Sequence, residues 1–149
     1  MYDSKLNGYT FFFSGTEPND YFDMVSKETN TMLMSYLYIR NKGVKILEER
    51  YEKCPGLKIL LDSGAFTFNT SEEYQNKEKY DLAYWEKHVD IYAKFIRKHK
   101  EHIFAAVELD IEYLVGLEKV DEWREKYFRP LEKEGIQIIY VWHEDRSLS

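Results

Sequence analysis

Five short apolar runs recur along the chain, each ending on polar or turn-forming residues and separated from the next by a stretch of helical character. They cover 10–14, 31–36, 58–61, 103–109 and 137–142. Near-continuous apolar runs of this length predict strands covered on both faces, as in a parallel sheet. Strands that alternate with helices imply right-handed crossovers. The expected fold class is therefore α/β, with about five parallel β/α units in a single domain over 1–149. A complete (β/α)8 barrel needs ~250 residues, so five units make either a small open α/β domain or the first part of a barrel.

The intervening segments predict the helices. Thr16 is placed to cap a short one, with Pro18 in its first turn. A second runs over 41–51 and stops at Pro55-Gly56. The stretch 71–100 reads as one long helix, with Tyr84, His88, Ile91 and Phe95 at helical spacing. The last covers 118–134, where Pro130 forces a kink or a break and Gly135 supplies the end.

Composition removes several function classes. Net charge is -6, which argues against broad phosphate-driven binding of nucleic acid. The basic run Arg97-Lys98-His99-Lys100 suits a helix C-terminus instead. Cys54 is the single cysteine, so no internal disulfide or cysteine-rich zinc site can form. The start, Met1 to Lys5, has no basic segment leading into an apolar stretch, so no signal peptide is expected. Apolar runs fall short of the ~20 residues of a membrane helix. The cytoplasm is the expected compartment, or the host cytoplasm for a phage-encoded chain. There is no GxGxxG, Walker loop, HExxH, CxxC or nucleophile elbow, and no cofactor or metal is expected.

In parallel α/β folds the working residues gather at the carboxyl ends of the strands. Four such ends are polar here: Ser35-Tyr36, Asp62-Ser63-Gly64, Glu108-Leu109-Asp110 and His143-Glu144-Asp145. A carboxylate at the top of a buried strand is partly desolvated, so Asp62 is the candidate for proton transfer. Gly64 permits a close ligand approach, and Phe66 is suited to cover a flat aromatic ligand. The plainer reading of Asp62, Ser63 and Gly64 is a turn that closes a strand. Glu108 and Asp110, two apart, would share a strand face with the small Ala106 and accept hydrogen bonds from a ligand. The alternative for Glu108 is an ion pair with a Lys or Arg on a neighbouring element. His143, at the fifth strand end, is a candidate donor, base or metal ligand. His88 and His99 are expected only to pack or to face solvent.

These residues carry a resemblance. Leu60-Leu61-Asp62-Ser63-Gly64-Ala65-Phe66 resembles the Asp-Ser-Gly-Gly-Phe-Gln strand end of the tRNA-guanine transglycosylases (queuine tRNA-ribosyltransferases). It is more similar still to the Asp-Ser-Gly-Ala-Phe of phage and bacterial relatives that insert 7-deazaguanines into DNA. Ser35-Tyr36-Leu37-Tyr38 occupies the place of that family's second-strand Asn-Thr-Tyr-like segment, Val107-Glu108-Leu109-Asp110 resembles its fourth-strand end, and Val141-Trp142-His143-Glu144 is similar to the Val-Phe-His segment of the DNA-modifying relatives. The resemblance implies the N-terminal part of a TIM barrel and an exchange of guanine for a 7-deazaguanine in nucleic acid, DNA or tRNA. It makes Asp62 the proton-handling carboxylate and gives Asp110 the base's polar edge. Ser63, Gly64, Phe66, Glu108 and His143 would line the pocket. The family's nucleophilic aspartate lies on a late barrel strand, beyond the fifth. Activity is therefore expected to need a complementing chain or a downstream segment. Two other readings stand beside this one. The first is a non-catalytic assembly protein, homo-oligomeric or paired with another chain at its open strand edges. The second is a small α/β hydrolase or lyase using Asp62 and His143.

Overall fold

The protein is described as a computed structural model over residues 5–6, 9–43 and 45–144. Residues 1–4, where the absence of a signal peptide is read, and Asp145 of the last strand-end run lie outside the described residues. So does Val44, in the middle of the second expected helix.

The centre is a four-stranded parallel sheet. Its strands are β3 (Thr31–Ser35), β4 (Lys58–Asp62), β5 (Ile103–Val107) and β6 (Ile138–Ile139), neighbours in chain order. The strand expected over 10–14 is reduced to one parallel bridge, Phe13 to Met32. Ahead of it, β1 (Lys5–Leu6) and β2 (Tyr9–Thr10) form a separate antiparallel pair. The fourth and fifth strands are shorter than the apolar runs that announce them, because pairing stops where the backbone turns into the strand-end loops.

Strand alternation divides the sheet into two unlike faces. Met34, Leu61, Ala106 and Ile138 align across the four strands and sit in the core. Helix residues such as Phe22, Ile39, Leu47, Trp85, Tyr92 and Trp123 pack into the same core. The neighbouring rows differ. Leu33, Leu60 and Ala105 align, as do Val107 and Ile139; Ala105 is buried, and the other four lie outside that core. Leu33, Leu60 and Val107 are half-buried and Ile139 is exposed. Phe12 and Phe104 stand three strand spacings apart, about 14 Å. Their ring centroids are nevertheless 5.0 Å apart. The two rings therefore lean together over this second face.

The helices depart from expectation where capping chemistry intervenes. Thr16 is buried and caps nothing; α1 (Asn19–Val25) starts after Pro18. A helix unseen in the sequence, α2 (Tyr36–Lys42), begins directly on the end of β3, and Gly43 separates it from α3 (Lys45–Lys53). The stretch 71–100 is not one helix. After α4 (Ala65–Thr70) and a 3-10 turn (Glu72–Gln75), the Asn76 side chain accepts from the backbone N–H groups of Glu78 and Lys79. Asp81 then caps α5 (Leu82–Lys98) by accepting from Tyr84 N–H at 2.8 Å. Side chains that bond the backbone locally in this way compete with helix propagation. The buried stripe of α5 is Trp85, Val89, Tyr92 and Ile96 with His88, while Ile91 is exposed.

Beyond α6 (Glu112–Val115) and α7 (Leu117–Trp123), the chain makes a π-helical turn (Arg124–Phe128) before α8 (Arg129–Lys133). Pro130 has no N–H to donate, and the widened turn directly before it is the form its break takes. Gly135, at φ 85°, closes α8, with Ile136 N–H returning to Leu131 O. Arg97 does more than complement a dipole: it forks onto Glu134 at 2.8 to 3.0 Å.

His88 and His99 are both buried. His88 Nδ1 accepts from Arg40 on α2 at 2.8 Å, joining α2 to α5. Burial, reinforced by the Arg40 guanidinium, lowers the His88 pKa to about 4. Between pH 6.5 and about 4 the unfolded chain then binds a proton that the folded chain refuses. The stability this provides is complete above pH 6.5 and is lost as pH falls through 4, to a limit of about 3 kcal/mol. His88→Gln should remove most of that acid sensitivity, read as a smaller difference between urea unfolding free energies at pH 7 and pH 4.5.

Candidate functional site

The carboxyl ends of the parallel strands form one rim. Ser35 and Asp62 are partners across β3 and β4. Asp62 is half-buried, and its Oδ2 accepts from Gly64 N–H at 2.9 Å. Motif and plain reading coincide here: the segment is a side-chain-closed turn, and the turn presents the carboxylate. Gly64 has φ 84°, and a Cβ there would meet Leu37 Cβ at 2.8 Å. Ser63 is buried, and its hydroxyl has no hydrogen-bond partner among the described residues. Phe66, on the outer side of α4, is 81% exposed. Tyr113 and Trp142 are also exposed, so the loops after β4, β5 and β6 each carry an uncovered aromatic ring.

Glu108 is not on this rim. β5 ends at Val107, and Glu108 follows Ala106 toward the helix side, 1% exposed. Its carboxylate receives Arg124 Nη2 at 2.5 Å, Arg124 Nε at 2.9 Å and Val141 N–H at 2.7 Å. The carboxylate thus makes the ion pair with a neighbouring element that is the alternative expected for Glu108. The shared face expected for Glu108 and Asp110 fails. Asp110 N–H bonds back to Glu108 O at 3.1 Å, and this tight turn ends the strand alternation.

The turn delivers Asp110, 8% exposed, to the rim. Its carbonyl accepts from Asn69 Nδ2 at 3.0 Å, which ties it to α4 and so to the Asp62 turn. Its side chain faces His143: Nε2 lies 3.0 Å from Asp110 Oδ2, and Nδ1 lies 3.2 Å from Glu112 Oε2. Among the described residues, Asp110, Glu112 and His143 bring one potential ligand atom each within 4.8 Å of one another. Sequence reading identified Asp110 and His143 but missed Glu112. The available signal was its spacing, two residues beyond Asp110 in the same strand-end loop.

The π-helical turn fixes Arg124. Glu86 on α5 accepts from Trp123 Nε1 at 2.7 Å and from Lys126 Nζ and Tyr127 OH, both at 2.6 Å. Burial opposes the charged form of Glu86, but the donors Lys126, Tyr127 and Trp123 together outweigh it and hold its pKa at about 2. A cavity of about 260 Å³ lined by Tyr80, Leu82, Trp85 and Leu114 opens between α5 and α6, away from the strand-end carboxylates. Among the described residues, no helix is long and apolar enough to cross a membrane.

Compared with protein-family models, curated proteins and solved structures, the chain matches none.

Breaking a buried ion pair on one side strands a charge, at a cost of about 3–5 kcal/mol. Arg124→Leu should destabilise by about that amount in urea unfolding. Arg124→Leu combined with Glu108→Leu should recover much of it, because no charge is left unpaired. Gly64→Ala should cost roughly 2–3 kcal/mol in the same assay, from left-handed backbone strain and the contact with Leu37.

Proposed function

We propose that the chain is the N-terminal part of a transglycosylase-like (β/α)8 barrel whose strand-end rim holds a guanine or 7-deazaguanine base during exchange in nucleic acid, DNA in the first instance. The observation that carries this reading is the asymmetry of the sheet. Helices cover one face, while the half-buried Leu33 and Leu60 of the other lie outside their core and polar Ser35 and Asp62 stand above them. A doubly wound sheet has helices on both faces; a barrel has them on the outside only, with an apolar interior and its polar chemistry at the top.

In this reading a carboxylate from a later strand, outside these residues, attacks C1′ of the sugar and guanine departs with a proton. The incoming deazaguanine gives up a proton and displaces the carboxylate. Asp62 handles the proton beside the base, and Asp110 accepts from its N–H edge. Exposed Phe66 offers a ring for stacking, a sequence-tolerant contact worth about 1–3 kcal/mol per base. Ser63 and Gly64 form the pocket wall, and His143 borders it.

The same uncovered face favours a second reading, a non-catalytic assembly protein in which another chain or a second copy covers it. Size-exclusion chromatography separates the two, since a well-behaved monomer would count against assembly. For the first reading, labelled guanine exchange into DNA is measured with a chain carrying late barrel strands supplied in trans. Exchange is expected with the unmodified chain and is expected to be lost with Asp62→Asn. Asp110→Asn should weaken 7-deazaguanine binding at least tenfold, since a hydrogen bond to a charged group contributes about 1.5–3 kcal/mol. Exchange indifferent to Asp62→Asn, or none with the partner present, would end the proposal.

A further inference from the structure

We infer that Asp110, Glu112 and His143 form a binding site for a divalent first-row cation, Zn2+ or Mn2+. The inference stands apart from base exchange and needs none of its steps.

Two observations carry it. The first is convergence. One imidazole and two carboxylates, from the loops after β5 and β6, each offer a ligand atom within 4.8 Å of the others. Ligands bound at about 2.1 Å stand roughly 3.4 Å apart in a tetrahedral site and roughly 3.0 Å apart when adjacent in an octahedral one. His143 Nε2 and Asp110 Oδ2 are 3.0 Å apart. That is also a hydrogen-bond distance, yet Nε2 has no hydrogen-bond partner. A close approach without a hydrogen bond is what two ligand atoms of one ion make.

The second observation is the state of the Asp110 carboxylate. The residue is 8% exposed, and its Oδ2 faces the cluster. Oδ1 is sealed from solvent with no hydrogen-bond partner among the described residues, and Oδ2 has only the histidine beside it. A buried carboxylate left this way is costly, and buried charges are paired or coordinate metals. Glu108, two residues earlier, is the internal comparison: buried as well, and more deeply, it receives three hydrogen bonds from Arg124 and Val141. No lysine or arginine is within ion-pair distance of Asp110 among the described residues. A divalent cation would satisfy both Asp110 oxygens and oppose the charge that Glu112 adds. An imidazole with two carboxylates suits Zn2+ or Mn2+ better than Ca2+, which takes six to eight oxygens.

The test uses the full chain after chelator treatment, with no base or nucleic acid present, so its outcome is separable from that of base exchange. Calorimetric titration with Zn2+ should give one ion per chain. Titration with Mn2+ should quench the free-ion electron paramagnetic resonance signal with the same stoichiometry, and Zn2+ should restore it. His143→Gln and Glu112→Gln should each weaken Zn2+ binding at least tenfold; circular dichroism confirms the fold, and half-buried Glu112 makes the second variant the safer one. Absence of stoichiometric binding would overturn the site and leave His143 as a bridge between two carboxylates. Affinity unchanged in both variants would overturn it as well, by locating the ion elsewhere.

Discussion

The buried carboxylate of Glu108 organises the functional end of the molecule. Its backbone N–H reaches Ile139 O at 3.0 Å, and its side chain accepts from Val141 N–H at 2.7 Å. One residue thus holds the exit of β6 at two successive points. Arg124 supplies the countercharge, from a turn that Glu86 fixes from beneath. His143 is two residues past the Val141 contact and Asp110 two residues past Glu108 itself, so the clamp brings them face to face. Taking such a charge out of water is expensive, and its retention fits a part that sets geometry more than stability.

This division of labour explains why two acidic residues so close in sequence behave so differently. Glu108 points into the helix layer and is saturated. Asp110, turned outward by a backbone bond to Glu108, is not. The rim therefore keeps its unsatisfied charge on a rigid mount, the arrangement a binding site requires if its geometry is not to relax away.

Much of this was legible in the sequence. The polarity of the strand ends announced Asp62, Asp110 and His143, because a parallel sheet leaves only its ends accessible. Alternation also implied a sheet with helices, since short apolar runs recur between stretches of helical character. Legibility failed where a local side-chain bond or a distant partner decided the outcome. Asn76 and Asp81 broke the single helix expected over 71–100, ahead of the stripe that begins at Tyr84. α2 was hidden because no turn residue separates Ser35 from Tyr36. Glu108 was assigned to the wrong face because two-residue spacing speaks for a face only while the strand lasts, and β5 stops at Val107. Its partner Arg124 is 16 residues away in an unremarkable charged stretch, and only the π-helical turn orients it inward.

The partly uncovered row of Leu33 and Leu60, with Val107 and Ile139 beside it, has a thermodynamic consequence. Apolar surface left to water is folding free energy not yet released, about 1.5–3 kcal/mol for each large side chain when it is finally buried. Any layer that covers the row, from whatever chain, releases it and is bound by it in the same event. Folding and association on that face are then a single equilibrium, and the midpoint of thermal unfolding will move with the concentration of whatever provides the cover.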